Sequence, residues 1–175
     1  MKLGYQTLVL VAVLLLSACS ADISDYRSEQ PQLKLEQFFQ GDLIAYGTVQ
    51  DYSGKVIQRF RVELQGSWDG DQGELAEQFY YADGRQQERV WKLRKTGPDS
   101  YEGRAGDVEG VASGQVAGNA FHWTYDLEVE VDGEPMVLGI DDWMYLVDEN
   151  NLINRSKMYK YGLPVGEITL YIGRR

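Results

Sequence analysis

Between Gly139 and Gly162 the chain reads GIDDWMYLVDENNLINRSKMYKYG, two adjacent carboxylates followed by Arg155, Lys157, Tyr159 and Lys160. A carboxylate within reach of a guanidinium or a phenol can move protons without a cofactor. The same grouping can instead anchor the polar end of a bound molecule. Which role is open depends on the side of the chain that Asp141 and Asp142 each face. Other chemistries find little footing. Asp69 and Asp71 in WDGDQGE open like a calcium loop, but Gly73 and Tyr80 stand where oxygen ligands belong, so a turn is expected there. The single histidine, His122, has no company of nitrogen and sulfur ligands for a zinc site and is expected to be a solvated strand residue. On a wet face it is a poor base for a serine or cysteine triad. No P-loop, dinucleotide fingerprint, His-Glu-x-x-His or Gly-x-Ser-x-Gly occurs. The expectation is therefore no cofactor and no metal.

The elements that must position these side chains are strands. Glycine (19) and tyrosine (12) far outnumber proline (4), the expected look of aromatic strands punctuated by turns. Turn signals at Tyr52-Ser53-Gly54, Asp69-Gly70, Asp83-Gly84, Gly97-Pro98-Asp99, Asp132-Gly133 and Glu149-Asn150-Asn151 separate the strand-like runs. These lie near 43–50, 55–66, 74–82, 86–95, 100–106, 108–117, 120–131, 134–147, 152–160 and 166–173. The helix candidate is Leu33 to Phe39, stopped by Gly41. About ten strands, short hairpins and no long helix predict an all-β fold, an antiparallel up-and-down meander closed into a β-barrel. A two-sheet sandwich is the alternative.

Hairpin geometry then separates the two aspartates. In NAFHWTYDLEVEV, Phe121, Trp123, Tyr125, Leu127, Val129 and Val131 share one face, and the intervening polar residues share the other. A two-residue turn at Asp132-Gly133 sets Val129 against Met136, Leu127 against Leu138, Tyr125 against Ile140, Trp123 against Asp142 and Phe121 against Met144. The pairs are apolar apart from Asp142, so the register is self-consistent. Asp142 points inward with Met144. Asp141 points outward with Trp143, Tyr145 and Val147, into solvent. A buried carboxylate needs partners, and the next hairpin supplies them. An even loop at Glu149-Asn150 brings Arg155, Lys157 and Tyr159 to the face of Asp142; an odd loop brings Asn154, Ser156 and Met158. Arg155 is preferred, because arginine is the better partner for a buried carboxylate. The candidate ligand-binding set is Asp142, Arg155, Trp123, Tyr125, Met144 and Tyr159. In ELAEQFYYADGRQQERVWKL, a strict two-residue turn at Asp83-Gly84 would leave Trp91 and Leu93 off the face of Leu75, Phe79 and Tyr81. A three-residue connection with a glycine bulge restores them and makes Arg89 the natural partner of Glu77. Gly110, Gly114 and Gly118 are expected to mark bends, bulges or close backbone approach.

The N-terminus, MKLGYQTLVLVAVLLLSACS, has a charged start, a short apolar run and small residues before Cys19, the pattern of a secretory signal. LSAC resembles the bacterial lipobox, in which the cysteine is lipidated and becomes the first mature residue. Cys19 is the chain's one cysteine and has no disulfide partner. Ser20 after it, by analogy with lipoprotein sorting signals, favours the outer membrane, with the domain facing the periplasm. The expected organisation is a signal peptide over 1–18, lipidated Cys19 and a polar tether over 19–32, and a barrel over 33–175. The formal net charge of −10 argues against nucleic acid and against adhesion to anionic lipid. The membrane connection is thus the anchor.

SWDG, FYYADGRQQERVWKL, GDVEGVASGQVAGNAFHWTY, DDWMYLVD, NRSKMYKYG and GEITL, in this order, resemble the domain-of-unknown-function 3833 family of Gram-negative lipoproteins from about Phe39 to Ile172. The resemblance implies a lipocalin-like barrel and brings no activity. Three readings of function follow. The first is an envelope lipoprotein whose lumen holds a lipid or other hydrophobic ligand. The second is an accessory protein acting through Trp143, Tyr145 and Val147 on its outer surface. The third is a cofactor-free enzyme using Asp142 with Arg155 or Tyr159.

Overall fold

The computed structural model describes residues 21–131 and 133–175. The expected signal peptide, Cys19 and Asp132 of the expected turn lie outside the described residues. Ten strands follow one another: β1 (Gly41–Asp51), β2 (Val56–Asp69), β3 (Gln72–Tyr81), β4 (Gln86–Lys95), β5 (Ser100–Arg104), β6 (Val108–Ala117), β7 (Ala120–Val131), β8 (Glu134–Asp148), β9 (Asn151–Lys160) and β10 (Leu163–Arg174). Each pairs antiparallel with its neighbours in sequence, and β1 pairs with β10 to close the barrel. The fold is the expected up-and-down barrel, and the sandwich alternative falls away.

Two hairpins adopt the registers that the apolar pattern demands. Across β7 and β8, Val129 faces Met136, Leu127 faces Leu138, Trp123 faces Asp142 and Phe121 faces Met144. Between β3 and β4 the connection is Ala82-Asp83-Gly84, with the Tyr81 amide bonded to the Arg85 carbonyl and Gly84 at φ +90°. This is the three-residue loop with a glycine bulge. It sets Leu75 against Trp91 and Glu77 against Arg89, so Trp91 and Leu93 are buried in the barrel. Asp69 and Asp71 flank Gly70 in the short β2–β3 turn, since Asp69 faces Gln72.

One end of the barrel is stoppered from within. The expected helix shrinks to one turn, α1 (Leu35–Phe38), and Leu33, Leu35, Phe38 and Phe39 bury their side chains among Leu64, Leu75, Phe121, Leu152 and Ile172. Glu36 takes hydrogen bonds from Lys95 Nζ and Tyr101 OH, both at 2.6 Å, which ties the plug to β4 and β5. Gly66 permits this seat, because a Cβ there would strike the Phe39 carbonyl.

The segment expected to be a polar tether is, over its described residues, packed on the barrel wall. Asp22 and Asp25 form a capping box around a 3₁₀ turn, Ile23–Tyr26. The Tyr26 ring lies 5.9 Å from Trp143 and 5.5 Å from Tyr145. Two aromatic rings on the outer face of β8 offer apolar area that outweighs the polar composition of the segment. Gly118, at φ +52°, touches the Tyr26 carbonyl, where a Cβ would collide. Its own carbonyl accepts from the Leu33 amide at 2.8 Å. Gly118→Val should therefore release this segment at a cost of about 1–3 kcal/mol. Trypsin should then cut after Arg27 much faster while the far-UV spectrum of the barrel is kept; an unchanged cleavage rate would contradict the docking.

Candidate functional site

The barrel encloses a cavity of about 1060 Å³. It runs from the plug residues Leu35 and Phe39 to Arg85 and Val131, beside the β3–β4 and β7–β8 hairpins at the other end. Its wall is mainly aliphatic and aromatic. Trp91 and Trp123 lie 4.7 Å apart, and Tyr125 packs on both, at 5.4 and 5.2 Å. Of the candidate ligand-binding residues, Asp142, Trp123, Tyr125 and Met144 line this lumen, and Arg155 and Tyr159 do not.

Asp142 is 3% exposed and sits between Trp123 on β7 and Ser156 on β9. Its Oδ2 accepts from Trp123 Nε1 at 2.7 Å and from Tyr125 OH at 3.2 Å. Its Oδ1 accepts from Ser156 Oγ at 3.0 Å and from the Asn154 amide nitrogen. Burial pushes the carboxyl above its ordinary range, opposed by these donors. Among the described residues, no cation pairs with it. A carboxylate with this many fixed donors is a structural hub with little freedom left to shuttle protons.

The expected partnership with Arg155 fails for a specific reason. The turn is the even, two-residue loop, because Asp148 faces Asn151. One residue earlier, however, Val147 forms a bulge, so that Leu146 faces Leu152 and Asp142 faces Ser156. The extra residue reverses the parity of β9. Leu152, Asn154, Ser156 and Met158 turn inward and are buried. Arg155 turns outward to Glu167, 2.8 Å away. Tyr159 lines a groove on the outer wall with Thr124, Asp126 and Asp141. The bulge keeps two cations in water and places Leu152 and Met158 in the core.

Asp141 points outward as expected, but it is engaged. His122 Nε2 lies 2.6 Å from its Oδ1, and both side chains are half-buried. The His122 ring stacks on Trp143 at 4.2 Å. His122 and Asp141 thus belong to the patch that receives Tyr26, and neither is freely solvated.

A second polar cluster in the lumen falls outside the candidate set. Glu77 on β3 faces Arg89 on β4. Arg89 makes a forked pair with Asp107, from Nε at 3.0 and 2.9 Å and from Nη2 at 2.7 Å. Its Nη1 stands 3.6 Å from Glu77 Oε2, too far for a hydrogen bond, and Glu77 Oε2 is buried with no hydrogen-bond partner. Burial pushes the Glu77 carboxyl up to about 7; Arg89 opposes the rise, and Asp107 and Asp142 add to it. The register signals the Glu77–Arg89 pair. Asp107, between β5 and β6, arrives through tertiary folding that no local pattern marks.

A family model described as a protein of unknown function, DUF3833, matches residues 13–174. No protein of curated function matches the sequence. Among solved structures, the S-type phycobiliprotein lyase CPES from Guillardia theta is similar at 10% identity and a TM-score of 0.55, over 82% of this chain and 93% of that one. Rv2717c from M. tuberculosis is similar at 16% identity and a TM-score of 0.58, over 85% and 99%. A protein of unknown function from Nostoc punctiforme, of the DUF3598 family, is similar at 13% identity and 0.58, over 84% of this chain and 51% of that one. At these identities the likeness is one of fold, a lipocalin-like closed barrel.

Proposed function

We propose, for a chain that belongs to the DUF3833 family of proteins of unknown function, a role in binding a lipid or other hydrophobic molecule within the barrel. In this reading, lipidated Cys19 holds the protein at the outer membrane, with the barrel facing the periplasm. One observation carries the binding role: the lumen keeps about 1060 Å³ of space behind a largely apolar wall. That is at the upper end of ligand pockets, which span about 300–1,000 Å³, whereas many small barrels are filled by their own side chains. The LSAC motif supports the anchor, since acyl chains contribute about 0.8 kcal/mol per buried methylene. Tyr26 covers part of Trp143 and Tyr145, which removes much of the exposed apolar set that would favour action through the outer surface.

Native mass spectrometry of the full chain, gently purified from cells, should show an added mass that organic extraction removes. A bare chain that also takes up no apolar probe would sink the binding reading. Cells fed a clickable palmitate should label the wild-type protein and leave Cys19→Ser unlabelled; an unlabelled wild type would end the anchor.

A further inference from the structure

Among the described residues that line the lumen, one buried side-chain oxygen has no hydrogen-bond partner. Glu77 Oε2 is an acceptor without a donor, on a residue whose side chain is 13% exposed and which lines the cavity. Leaving such an oxygen dry costs about 1–3 kcal/mol, more when it is charged. Several other polar groups of the wall are already engaged. Asp142 takes its four donors, and Asn154 and Ser156 are spent on it. The cationic side chains on the cavity wall each have a protein partner as well. Arg89 is forked onto Asp107, Arg85 is held by Asp83 at 2.9 Å, and Lys160 donates to the Val137 carbonyl at 2.8 Å. Against these three cations the same wall carries Glu77, Glu128, Glu130 and Asp142. An entering carboxylate would meet a wall on which carboxyls outnumber cations, an arrangement that disfavours it. An entering donor would meet Glu77.

We infer that the lumen selects amphiphiles whose polar end donates hydrogen bonds, an alcohol or a protonated amine in preference to a carboxylate, and that Glu77 Oε2 receives the donor. The inference rests on the binding role proposed above and names the ligand class for that same cavity. The tail of the molecule lies along the aromatic wall of Trp91, Trp123 and Tyr125. The head sits beside the Glu77–Arg89 pair. A carboxyl titrating near neutrality suits both heads: ionised it pairs with an ammonium, and protonated it exchanges hydrogen bonds with a hydroxyl.

The test uses the purified full chain with N-phenyl-1-naphthylamine as a fluorescent lumen probe at pH 7.5. Dodecylamine, dodecanol and dodecanoate compete below their micelle thresholds. The amine and the alcohol should each displace half the probe at a concentration at least tenfold below dodecanoate. In Glu77→Gln, which keeps the shape and an acceptor oxygen, the amine's lead over dodecanoate should fall at least tenfold while dodecanol is retained. Dodecanoate ranking level with or ahead of the others, in the wild type alone, overturns the inference; so does a lead that Glu77→Gln leaves intact. Equal displacement by all three sinks only the donor preference. A probe that never brightens, or that none of the three displaces, sinks the binding role together with it.

Discussion

Asp142→Ala should cost the barrel about 3–5 kcal/mol, among the largest losses for a single polar residue. The methyl group would strand Trp123 Nε1, Tyr125 OH, the Asn154 amide and Ser156 Oγ, all directed at one carboxylate. Hydrogen bonds to a charged group contribute about 1.5–3 kcal/mol each, but their sum overstates the loss. Ser156 Oγ already lies 3.3 Å from Asn154 Oδ1, and Asn154 also bonds the Trp143 carbonyl at 3.0 Å, so part of the network closes on itself. Asp142→Asn should cost less, about 1–2 kcal/mol, because one oxygen still accepts while the new amide faces donors. Urea unfolding followed by far-UV circular dichroism measures both. An alanine variant within about 1 kcal/mol of wild type would show that the network does not hold the barrel together.

The barrel should also lose stability as the pH rises from about 5 to about 8, through Glu77. Its folded carboxyl titrates near 7 against an ordinary value of 4.5. The folded state therefore binds the proton more tightly than the unfolded chain. Between those two values folding takes up a proton, and stability falls as pH rises. The full contribution is present below about 4.5 and gone above about 7. A separation of that size corresponds to about 3 kcal/mol. Asp142, also raised by burial, acts in the same direction. Exposed Asp83, lowered to about 2 by hydrogen bonds from the Arg85 backbone, Gln58 and the Arg85 side chain, acts only at lower pH, where its contribution is lost as pH falls. Urea midpoints at pH 5, 6, 7 and 8 should decline in the wild type and decline far less in Glu77→Gln. Parallel profiles for the two proteins would show that Glu77 does not titrate in this range.

The hairpins show why some of this was legible and some was not. From Phe121 to Val131 the alternation is unbroken and ends on a glycine turn, so one register satisfies every pair. The β3–β4 bulge was readable because without it Trp91 would have faced water. The Val147 bulge leaves no such mark, since Val147 is itself 60% exposed and either parity gives β9 a plausible inner face. A signal existed in the totals: the inner face actually used carries Leu152, Asn154, Ser156 and Met158, whereas the rejected one would have buried both Arg155 and Lys157 opposite a single aspartate. Charge count was a better guide than the strength of one ion pair. The docked N-terminal segment depends on one tyrosine and on Gly118, too few residues to form a periodic pattern, and Asp107 reaches Arg89 from a different hairpin.

The closing seam of the barrel has a consequence in time. β1 has one neighbour close at hand in β2, but its second is β10, the last strand of the barrel, which pairs Leu43 with the distant Arg174. Pairings this distant in sequence form slowly, on the scale of milliseconds to seconds for all-β domains. Until β10 exists, the outer edge of β1 is a bare template on which another chain can assemble. Synthesis must therefore run through β10 before any closed lumen can form. Removing β10 would leave an open, sticky sheet, so the last strand of the barrel sets when the domain becomes safe from aggregation.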